Sequence, residues 1–370
     1  MKKKISFVIG SLSPGGAERV VTTLANELSK SYIVYIITLV KSEPYYQVNE
    51  NVKILYCKES IAPSKNPLQA ITSNFQLYRK ISSIVKEEKI QLLLGFITSA
   101  NILTILASKR NRIPCIVSER IFPLFEKTPK MWKTLRRLLY RKSDFLVVQT
   151  EEIKDYFKPN VPEKKIIILP NPIAPEITNS VDFTSKKENV ILNVGRLTPQ
   201  KSQDTLIKAF SRIDNKDWQL VIIGEGEKRK EYELLIGELN LENKVQLVGN
   251  TNNMPYYYNK ASIFAFPSKY EGFPNALLEA MHFGLPCIST DCPTGPSKLI
   301  TDGENGFLIP IESQKQLEER LNTLISNKSF REQLGNEAVK STTYFEVGPV
   351  TNQWKSVIEK LIQKIKTKAL

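Results

Sequence analysis

Residues 266–288 read FPSKYEGFPNALLEAMHFGLPCI, and this stretch is the most specific pattern in the chain. It begins at the end of a short β-rich run, passes through a loop that contains Gly272 and Pro274, and continues as an apolar segment of helical character. A Gly-Leu-Pro turn then leads into a second β-rich run near Cys287. Strand, loop, helix and strand in this order predict two parallel strands connected by a helix.

The same alternation of β-rich runs and amphipathic stretches extends through the rest of the chain. The β-rich runs of the first half are ISFVIG, YIVYIITL, LLLGF, CIVS, FLVV and IIIL, and those of the second half are NVILNVG, QLVIIGEGE, KVQLVGN and SIFAFPS. The alternation stops at residues 169–180, LPNPIAPEITNS, which contain three prolines. This rhythm is typical of parallel sheets with helices on both faces. We therefore predict an α/β protein with two doubly wound domains, residues 1–172 and 173–345.

Composition and charge narrow the class of protein. The chain has 370 residues, of which 41% are hydrophobic and 24% charged, and this excludes low-complexity and disordered classes. It carries 52 Lys and Arg against 38 Asp and Glu, a net charge of +14. Residues 1–172 contain 28 basic and 14 acidic residues, and the remainder contains 24 of each. The whole positive excess therefore lies in the first predicted domain.

Half of that excess is concentrated in residues 127–142, which contain seven basic residues and no acidic one. Apolar residues recur there at helical spacing, namely Met131, Trp132, Leu135, Leu138 and Leu139. This pattern predicts a basic amphipathic helix. Its basic residues either form a solvated face or contact an anionic membrane surface. A contact with nucleic acid is the least favoured alternative, because no nucleic-acid motif is visible. The candidates for contact with an acceptor or a membrane are Lys130, Lys133, Arg136 and Arg137.

Three features indicate a cytoplasmic protein without a membrane span. The four cysteines form no CxxC pair, as is common in a reducing compartment. The apolar run after the basic start is too short for a signal peptide and predicts a strand. Residues 90–107, IQLLLGFITSANILTILA, contain Gln91 and Asn101 and favour strand, turn and helix over a membrane span.

Two glycine-containing turns are candidate phosphate sites. SPGGAE, residues 13–18, follows the first strand and opens a helix, so Gly15 and Gly16 bring free N–H groups to the carboxyl edge of the sheet. A plain tight turn remains the alternative. NVGRLTPQKSQDTLIKAF, residues 193–210, places Arg196 and Lys201 on either side of a turn after Gly195. A guanidinium and an ammonium there are suited to a diphosphate, although two exposed cations would have the same spacing.

The 266–288 stretch supplies two carboxylates. Glu271 is expected at the entrance of the helix and Glu279 about one turn inside it, with Pro274 in the first turn. A carboxylate accepts two hydrogen bonds at once and matches the diol of a sugar or ribose, whereas the alternative is a pair of surface acids. The N–H groups available to an anionic or hydroxyl-rich ligand are expected to be those of Gly272, Phe273 and Asn275.

Two further observations limit the chemistry. His282, the only histidine, is either a general base or a half-buried packing residue. No Asp-x-Asp occurs, so the chain lacks the carboxylate pair that would bridge a divalent metal to a nucleotide diphosphate. The turn DCPTGPSKLI, residues 291–300, is a lesser candidate for ligand contact.

In that order and at those separations, GGAE, GRLTPQK and EGFPNALLEAMHFGLP resemble the retaining GT-B glycosyltransferases of family 4. The resemblance covers nearly the whole chain and is nearest to bacterial enzymes that build lipid-linked oligosaccharides and surface polysaccharides, including those of Pgl-type glycosylation. It implies two Rossmann-like domains with a cleft between them. The second would hold a nucleotide sugar, the first an acceptor, and residues 346–370 would form a helix that returns to the first domain.

Carried over residue by residue, the resemblance assigns roles to the motif side chains. Arg196 and Lys201 would bind the donor diphosphate and stabilise it as leaving group. Glu271 would contact the hydroxyls of the donor sugar, and Glu279 the ribose diol. The remaining donor contacts would come from Gly15, Gly16, Gly195, Gly272, Phe273, Pro274 and Asn275.

The implied reaction is a metal-independent, cofactor-free transfer with retention from a UDP-sugar to a saccharide, one linked to polyprenyl diphosphate. It would take place at the inner face of the plasma membrane, with nucleic acid playing no part. A GDP-mannose mannosyltransferase, a nucleotide-sugar epimerase and a non-catalytic nucleotide-sugar-binding protein stay open as alternatives.

The sequence departs from the family pattern at two positions. Ser202 follows the clamp lysine where relatives have glycine. Arg120, preceded by Glu119, stands where many relatives have histidine, and we expect it to contact the acceptor, for example through a phosphate. The identity of the acceptor therefore stays open.

Overall fold

The computed structural model describes residues 2–60, 66–125 and 128–368. The chain divides into two compact units. The first comprises the residues up to Ala174 together with the segment from Val347 onward, and the second is Pro175–Glu346. The strands of the described ranges are β1 (Lys4–Ile9), β2 (Ile33–Val40), β3 (Val52–Lys58), β4 (Leu92–Phe96), β5 (Cys115–Ser118), β6 (Phe145–Val148), β7 (Ile166–Ile168), β8 (Val190–Val194), β9 (Gln219–Ile223), β10 (Val245–Gly249), β11 (Ile263–Phe266), β12 (Cys287–Thr290) and β13 (Phe307–Ile309).

Helices connect these strands and cover the sheets. Those of the described ranges are α1 (Gly16–Ser29), α2 (Pro67–Glu87), α3 (Thr98–Asn111), α4 (Lys130–Leu139), α5 (Glu151–Phe157), α6 (Pro175–Thr178), α7 (Gln203–Arg212), α8 (Arg229–Glu238), α9 (Met254–Lys260), α10 (Asn275–His282), α11 (Pro296–Leu299), α12 (Gln314–Ser326), α13 (Lys328–Thr342) and α14 (Val347–Lys368). The predicted strand, turn and helix of residues 90–107 are confirmed as β4 and α3. No helix among the described residues has the length and apolar character needed to cross a membrane.

The first unit is built on a parallel sheet that has, in the described residues, seven strands in the order β3-β2-β1-β4-β5-β6-β7. One face of this sheet packs against α2, α3 and α5, and the other packs against α1 and α14. The C-terminal helix contributes Val350, Trp354 and Ile358 to the second of these cores, and all three are fully buried. The fold of this unit is therefore doubly wound, as predicted.

Strand β3 and helix α2 were not predicted from the sequence. Strand β3 lies at the edge of its sheet, and Ile54 and Tyr56 on it are exposed, so it shows no continuous apolar run. Helix α2 begins after Asn66, whose side chain accepts a hydrogen bond from the N–H of Gln69 at 2.8 Å. Both elements bury only part of their surface, and their sequence pattern is correspondingly weak.

The second unit contains a parallel sheet that has, within the described ranges, six strands in the order β10-β9-β8-β11-β12-β13. The central neighbours β8, β11 and β12 are almost entirely buried, which explains their apolar sequences. Because parallel strands end at the same edge, the loops that follow these three strands meet there. Those loops carry the second and third predicted motifs.

Candidate active site

Lys201 and Glu271 form a close ion pair at the carboxyl edge of the second sheet. The Lys201 Nζ lies 2.7 Å from the Glu271 Oε1, and the two side chains are only 15% and 7% exposed. The ammonium also lies 4.7 Å from the centre of the Phe266 ring at the end of β11. The lysine and the first glutamate of the motifs, far apart in sequence, are therefore in direct contact.

The lysine side chain passes close to Gly195 at the end of β8. A Cβ at Gly195 would lie 3.2 Å from the Lys201 Cδ, so a larger residue would require the lysine side chain to shift by a few tenths of an ångström. Gly224 has φ +140°, and a Cβ there would overlap the Gly195 carbonyl. Gly195 and Gly224 directly follow the neighbouring strands β8 and β9. Gly224 lets the two loops approach each other, and Gly195 borders the Lys201 side chain.

Arg196 differs from Lys201 in its surroundings. Its side chain is exposed, and the described residues offer its guanidinium neither an ion pair nor a hydrogen bond. The turn between the two cations is held by Gln203, whose Nε2 donates to the carbonyls of Gly195 at 3.3 Å and Arg196 at 3.1 Å. One predicted clamp residue is therefore paired inside the protein, and the other is open to solvent.

Ser202 adopts a backbone conformation that glycine usually takes. Its backbone has φ 50° and ψ 40°, the left-handed conformation in which glycine is least strained. Serine is accommodated here with its hydroxyl 3.1 Å from the Thr205 hydroxyl. With serine at this position, the turn still directs Lys201 toward Glu271.

The loop after Glu271 differs from the prediction in two details. Helix α10 begins at Asn275, so Pro274 precedes the helix and is not in its first turn. The Asn275 N–H donates to the Phe273 carbonyl at 3.0 Å and is not available to a ligand in this conformation. Both differences have one cause, because the chain turns tightly between Gly272 and Asn275 before the helix starts.

The turn at residues 291–295, which follows strand β12, packs against this loop. The Thr294 hydroxyl donates to the Glu271 carbonyl, and Thr294 itself has φ 68°, a strained conformation for a β-branched residue. Gly295 has φ +105°, and a Cβ there would come within 2.5 Å of the Pro274 Cδ. The sequence marked this turn only as a lesser candidate, because its contact with Glu271 depends on the adjacency of β11 and β12.

Glu279 and His282 lie on the buried side of α10. The Tyr258 hydroxyl donates to the Glu279 Oε2 at 3.2 Å, an interaction that the sequence did not indicate. His282 is buried, with its Nδ1 3.0 Å from the Thr342 hydroxyl, and burial lowers its pKa although Glu346 raises it. These contacts favour the packing interpretation of His282 over the general-base one.

Burial also raises the pKa of the nearby Cys292 thiol to about 12, so this thiol is not a nucleophile at neutral pH.

Gly15 and Gly16 belong to the first unit. Helix α1 begins at Gly16, with Gly15 directly before it, and a Cβ on Gly15 would overlap the Glu18 carboxylate. Burial raises the pKa of that carboxyl group. The donor residues predicted from the sequence are therefore divided between the two units, with the Lys201–Glu271 pair in the second.

Glu119 and Arg120 lie inside the first unit and cannot contact a membrane surface. The Glu119 Oε1 accepts hydrogen bonds from the Thr98 hydroxyl, at 2.9 Å, and from the Tyr140 hydroxyl. The Arg120 Nη1 donates to the Asn171 Oδ1. The end of β5 turns both side chains into the unit, where they are buried. The expected contact of Arg120 with the acceptor stays a prediction.

Helix α4 is amphipathic, but its buried face differs from the predicted one. Trp132, Leu135 and Leu139 pack on the core, and Arg136 is buried beside them, donating to the Thr98 hydroxyl at 3.3 Å. Met131 and Leu138, expected on the apolar side, are 40% and 52% exposed. Lys127 lies outside the described residues. The basic residues of the helix that do remain exposed are Lys130, Lys133 and Arg137.

Two doubly wound parallel-sheet units, the second with a Lys–Glu pair at its carboxyl edge, are consistent with a GT-B glycosyltransferase. The comparisons agree with this class: residues 14–177 match the Glycosyltransferase Family 4 model, and residues 177–341 match the model for Glycosyl transferases group 1. The chain is also 31% identical over 358 residues to a Campylobacter jejuni enzyme, covering 96% of this chain and 98% of the relative. The chain belongs to the group 1, family 4 glycosyltransferases.

The names of two relatives describe related reactions. That Campylobacter jejuni enzyme is named as an α-1,4-N-acetyl-D-galactosaminyltransferase acting on GalNAc-α-(1→4)-GalNAc-α-(1→3)-diNAcBac-PP-undecaprenol. A second enzyme of the same organism, 31% identical over 93% of this chain and 96% of its own length, is a 4-α-N-acetylgalactosaminyltransferase named for a diphospho-undecaprenol-linked saccharide. Among solved structures, Anabaena HepE in complex with UDP matches with a TM-score of 0.79 and 18% identity, covering 96% of this chain and 100% of HepE. At that identity the match shows the fold alone.

Proposed function

We propose that this glycosyltransferase moves a hexose or N-acetylhexosamine from a UDP-sugar to a saccharide linked to polyprenyl diphosphate, with retention of anomeric configuration and without a metal. The observation that carries the proposal is the Lys201–Glu271 pair at 2.7 Å, at the edge where parallel sheets bind ligands. The names of the two Campylobacter jejuni relatives support the acceptor class. The absence of Asp-x-Asp from the sequence supports a metal-independent reaction.

The pair suggests how donor binding prepares the leaving group. Without donor, Glu271 neutralises Lys201, so that neither charge is buried alone. The diphosphate of a bound donor competes for the ammonium, and the exposed Arg196 adds a second cation. The positive charges then stabilise the negative charge that develops as the sugar–phosphate bond breaks. In this mechanism the acceptor hydroxyl attacks from the face that the diphosphate leaves and passes its proton to the departing phosphate oxygen, so the configuration is retained.

The same exchange gives the two glutamates separate roles. Once Lys201 turns to the diphosphate, Glu271 can accept hydrogen bonds from the hydroxyls of the donor sugar. Glu279 takes the ribose diol, and Tyr258 holds its carboxylate in place through the 3.2 Å hydrogen bond. Both carboxylates belong to the 266–288 stretch, so a single loop and helix would orient both ends of the donor.

The first unit would bring the enzyme to its lipid-linked acceptor. Helix α4 exposes Lys130, Lys133 and Arg137 together with Met131 and Leu138. Cations beside apolar side chains are suited to an anionic membrane surface, where each basic residue adds about 1 kcal/mol. We therefore place the enzyme at the inner face of the plasma membrane, bound peripherally through this helix.

The first experiment is a thermal-unfolding titration with UDP, GDP and ADP. It uses the wild type, Glu279→Gln and, as a matched control, the exposed α12 variant Glu319→Gln. A ligand that binds only the folded protein raises the unfolding midpoint by mass action. We expect UDP to raise the midpoint of the wild type and of Glu319→Gln, and the shift to shrink in Glu279→Gln. Selectivity for GDP would replace the proposal by a mannosyltransferase, and equal shifts in all three proteins would reject the role of Glu279.

Turnover tests the reaction itself. Purified enzyme is incubated with UDP-N-acetylgalactosamine, UDP-N-acetylglucosamine or UDP-glucose and a polyprenyl-diphosphate-linked saccharide, with and without EDTA. We expect one donor to be consumed, EDTA to have no effect, and the anomeric proton of the product to show the same configuration as the donor. An inverted product or a requirement for metal would contradict the mechanism.

A further inference from the structure

A cluster of buried N–H donors in the first unit has no hydrogen-bond acceptor among the described residues. Its members are the Nε and Nη2 of Arg120 and the indole Nε1 of Trp354. Arg120 is 8% exposed, and Trp354 is fully buried. Buried donors in native proteins are nearly always paired, so three unpaired donors on two neighbouring side chains indicate a group missing from their surroundings.

The two side chains are held in contact by aromatic packing. The Arg120 guanidinium carbon lies 4.7 Å from the centre of the Phe96 ring and 5.7 Å from that of Trp354. The two rings stack on each other at 5.8 Å. Only Nη1 of the guanidinium has a partner, the Asn171 Oδ1. The other donors are therefore oriented before any ligand arrives, which favours binding.

The backbone beside the cluster is strained. Phe96 ends β4, and the next residue, Ile97, has φ 74° and ψ 147°, a region that is essentially restricted to glycine. Strain of this kind in a β-branched residue concentrates at ligand sites. Ile97 also opens α3, a 14-residue helix whose first turn receives no side-chain cap from the described residues. The positive end of the helix dipole therefore lies at the same place.

The position agrees with the general location of ligand sites in such sheets. In the order β3-β2-β1-β4-β5-β6-β7 the direction of winding changes between β1 and β4. Ligands bind outside the carboxyl ends of the strands at that switch point. Ile97 follows β4, and Arg120 follows the neighbouring β5.

The charges around the cluster leave the guanidinium poorly compensated. Glu119 lies next to Arg120 and favours its charged form, but the Glu119 Oε1 is already engaged by Thr98 and Tyr140. Desolvation outweighs this attraction and lowers the pKa of Arg120 to about 9. A cation without sufficient compensation attracts an oxyanion.

We propose that Arg120 and Trp354 bind an oxyanion, a phosphate ester or a carboxylate carried by a ligand of the first unit, with the start of α3 adding its N–H groups. The guanidinium fork and the indole N–H match the several lone pairs of such a group. The cluster is shielded from solvent, so the oxyanion enters through a local movement of Arg120 or of a side chain that covers it. The site is independent of the reaction at Lys201 and Glu271, and only the source of the oxyanion depends on the proposed function.

The test is anion binding by the full chain without any nucleotide sugar. Wild type, Arg120→Gln, Trp354→Phe and the control Arg110→Gln are titrated with pyrophosphate, phosphate and glucuronate at constant ionic strength, and with neutral glucose. Unfolding midpoints and calorimetry report binding. Trp354→Phe keeps an aromatic ring for stacking and removes the N–H together with the second ring of the indole, whereas Arg110→Gln removes the same charge from the exposed end of α3.

We expect an oxyanion to bind the wild type and Arg110→Gln equally. Affinity should fall about tenfold or more in Arg120→Gln and by a smaller factor in Trp354→Phe, as expected for losing charged and neutral hydrogen bonds. Preference for pyrophosphate or phosphate would assign the site to a phosphate ester, and preference for glucuronate would assign it to an acidic sugar. Equal affinity in all four proteins, or no binding by the wild type, would overturn the proposal. Anion binding that persists without sugar transfer would reject the proposed function and leave this site standing.

Discussion

Replacing Lys201 by methionine separates the structural and catalytic contributions of the Lys201–Glu271 pair. The substitution keeps most of the length of the side chain and removes its charge, which leaves Glu271 with 7% exposure and without its partner. Removing one member of a buried pair costs about 3–5 kcal/mol. Because Lys201 retains 15% exposure, we expect the lower end, about 3 kcal/mol. For a unit of this size that lowers the unfolding midpoint by about 6–12 °C.

The double variant Lys201→Met with Glu271→Leu supplies the decisive comparison. Replacing both members of a buried pair by apolar residues is often neutral or stabilising, so most of the lost stability should return. Catalysis should not return, because the leaving group still lacks its cation. Removal of one such electrostatic group typically lowers kcat by about 10²–10³-fold.

Urea unfolding followed by circular dichroism measures stability, and release of nucleoside diphosphate measures turnover. The four proteins of the cycle are compared at one pH and one salt concentration, which isolates the coupling between the two residues. Equal stability of Lys201→Met and wild type would show that the pair is open to solvent. Recovery of turnover in the double variant would show that Lys201 does not act on the leaving group.

Three further expectations follow from the structure. Gly224→Ala should destabilise the second unit by about 1–3 kcal/mol and weaken nucleotide binding, because the new Cβ meets the Gly195 carbonyl at φ +140°. The control Gly237→Ala, inside α8, should instead stabilise the unit by about 0.5–1 kcal/mol. Changes in stability of the same sign for both variants in urea unfolding would refute this. Burial lowers the pKa of His282, so the unfolded chain binds a proton at this histidine more readily than the folded protein does. The free energy of unfolding should therefore fall as the pH drops through the ordinary histidine range, and level off below the folded-state pKa. His282→Gln should remove this pH dependence. Binding to vesicles that contain anionic lipid should weaken with salt, and its affinity should fall roughly 30-fold in the double variant Lys133→Gln with Arg137→Gln. The control Arg212→Gln, in the second unit, should bind as the wild type does. Flotation that depends on neither salt nor anionic lipid would reject the membrane contact.

The fold was predictable because its strongest signals are local. Fully buried strands such as β4, β5 and β11 have continuous apolar sequences, and the turns after them contain the glycines and prolines that begin helices. The edge strand β3 and the partly exposed α2 lack these signals and were not identified. Helix α4 was predicted correctly as an amphipathic helix, but periodicity alone could not show that Arg136 would be buried and Leu138 exposed. Those orientations depend on Thr98 and the aromatic residues that receive the Arg136 guanidinium.

The sequence by itself determined the alternation of strands and helices, the order of the three motifs and the placement of Glu271 and Glu279 on one loop and helix, because each of these is set by neighbouring residues. Only the tertiary structure decided which distant side chains meet. Lys201 reaches Glu271 because β8 and β11 are adjacent in the sheet, and Arg120 meets Trp354 because the C-terminal helix packs on the first unit. The physical reason is that contacts between distant segments depend on the order of the strands and on which elements are buried. Neither property produces a periodic sequence pattern at the residues that make the contact.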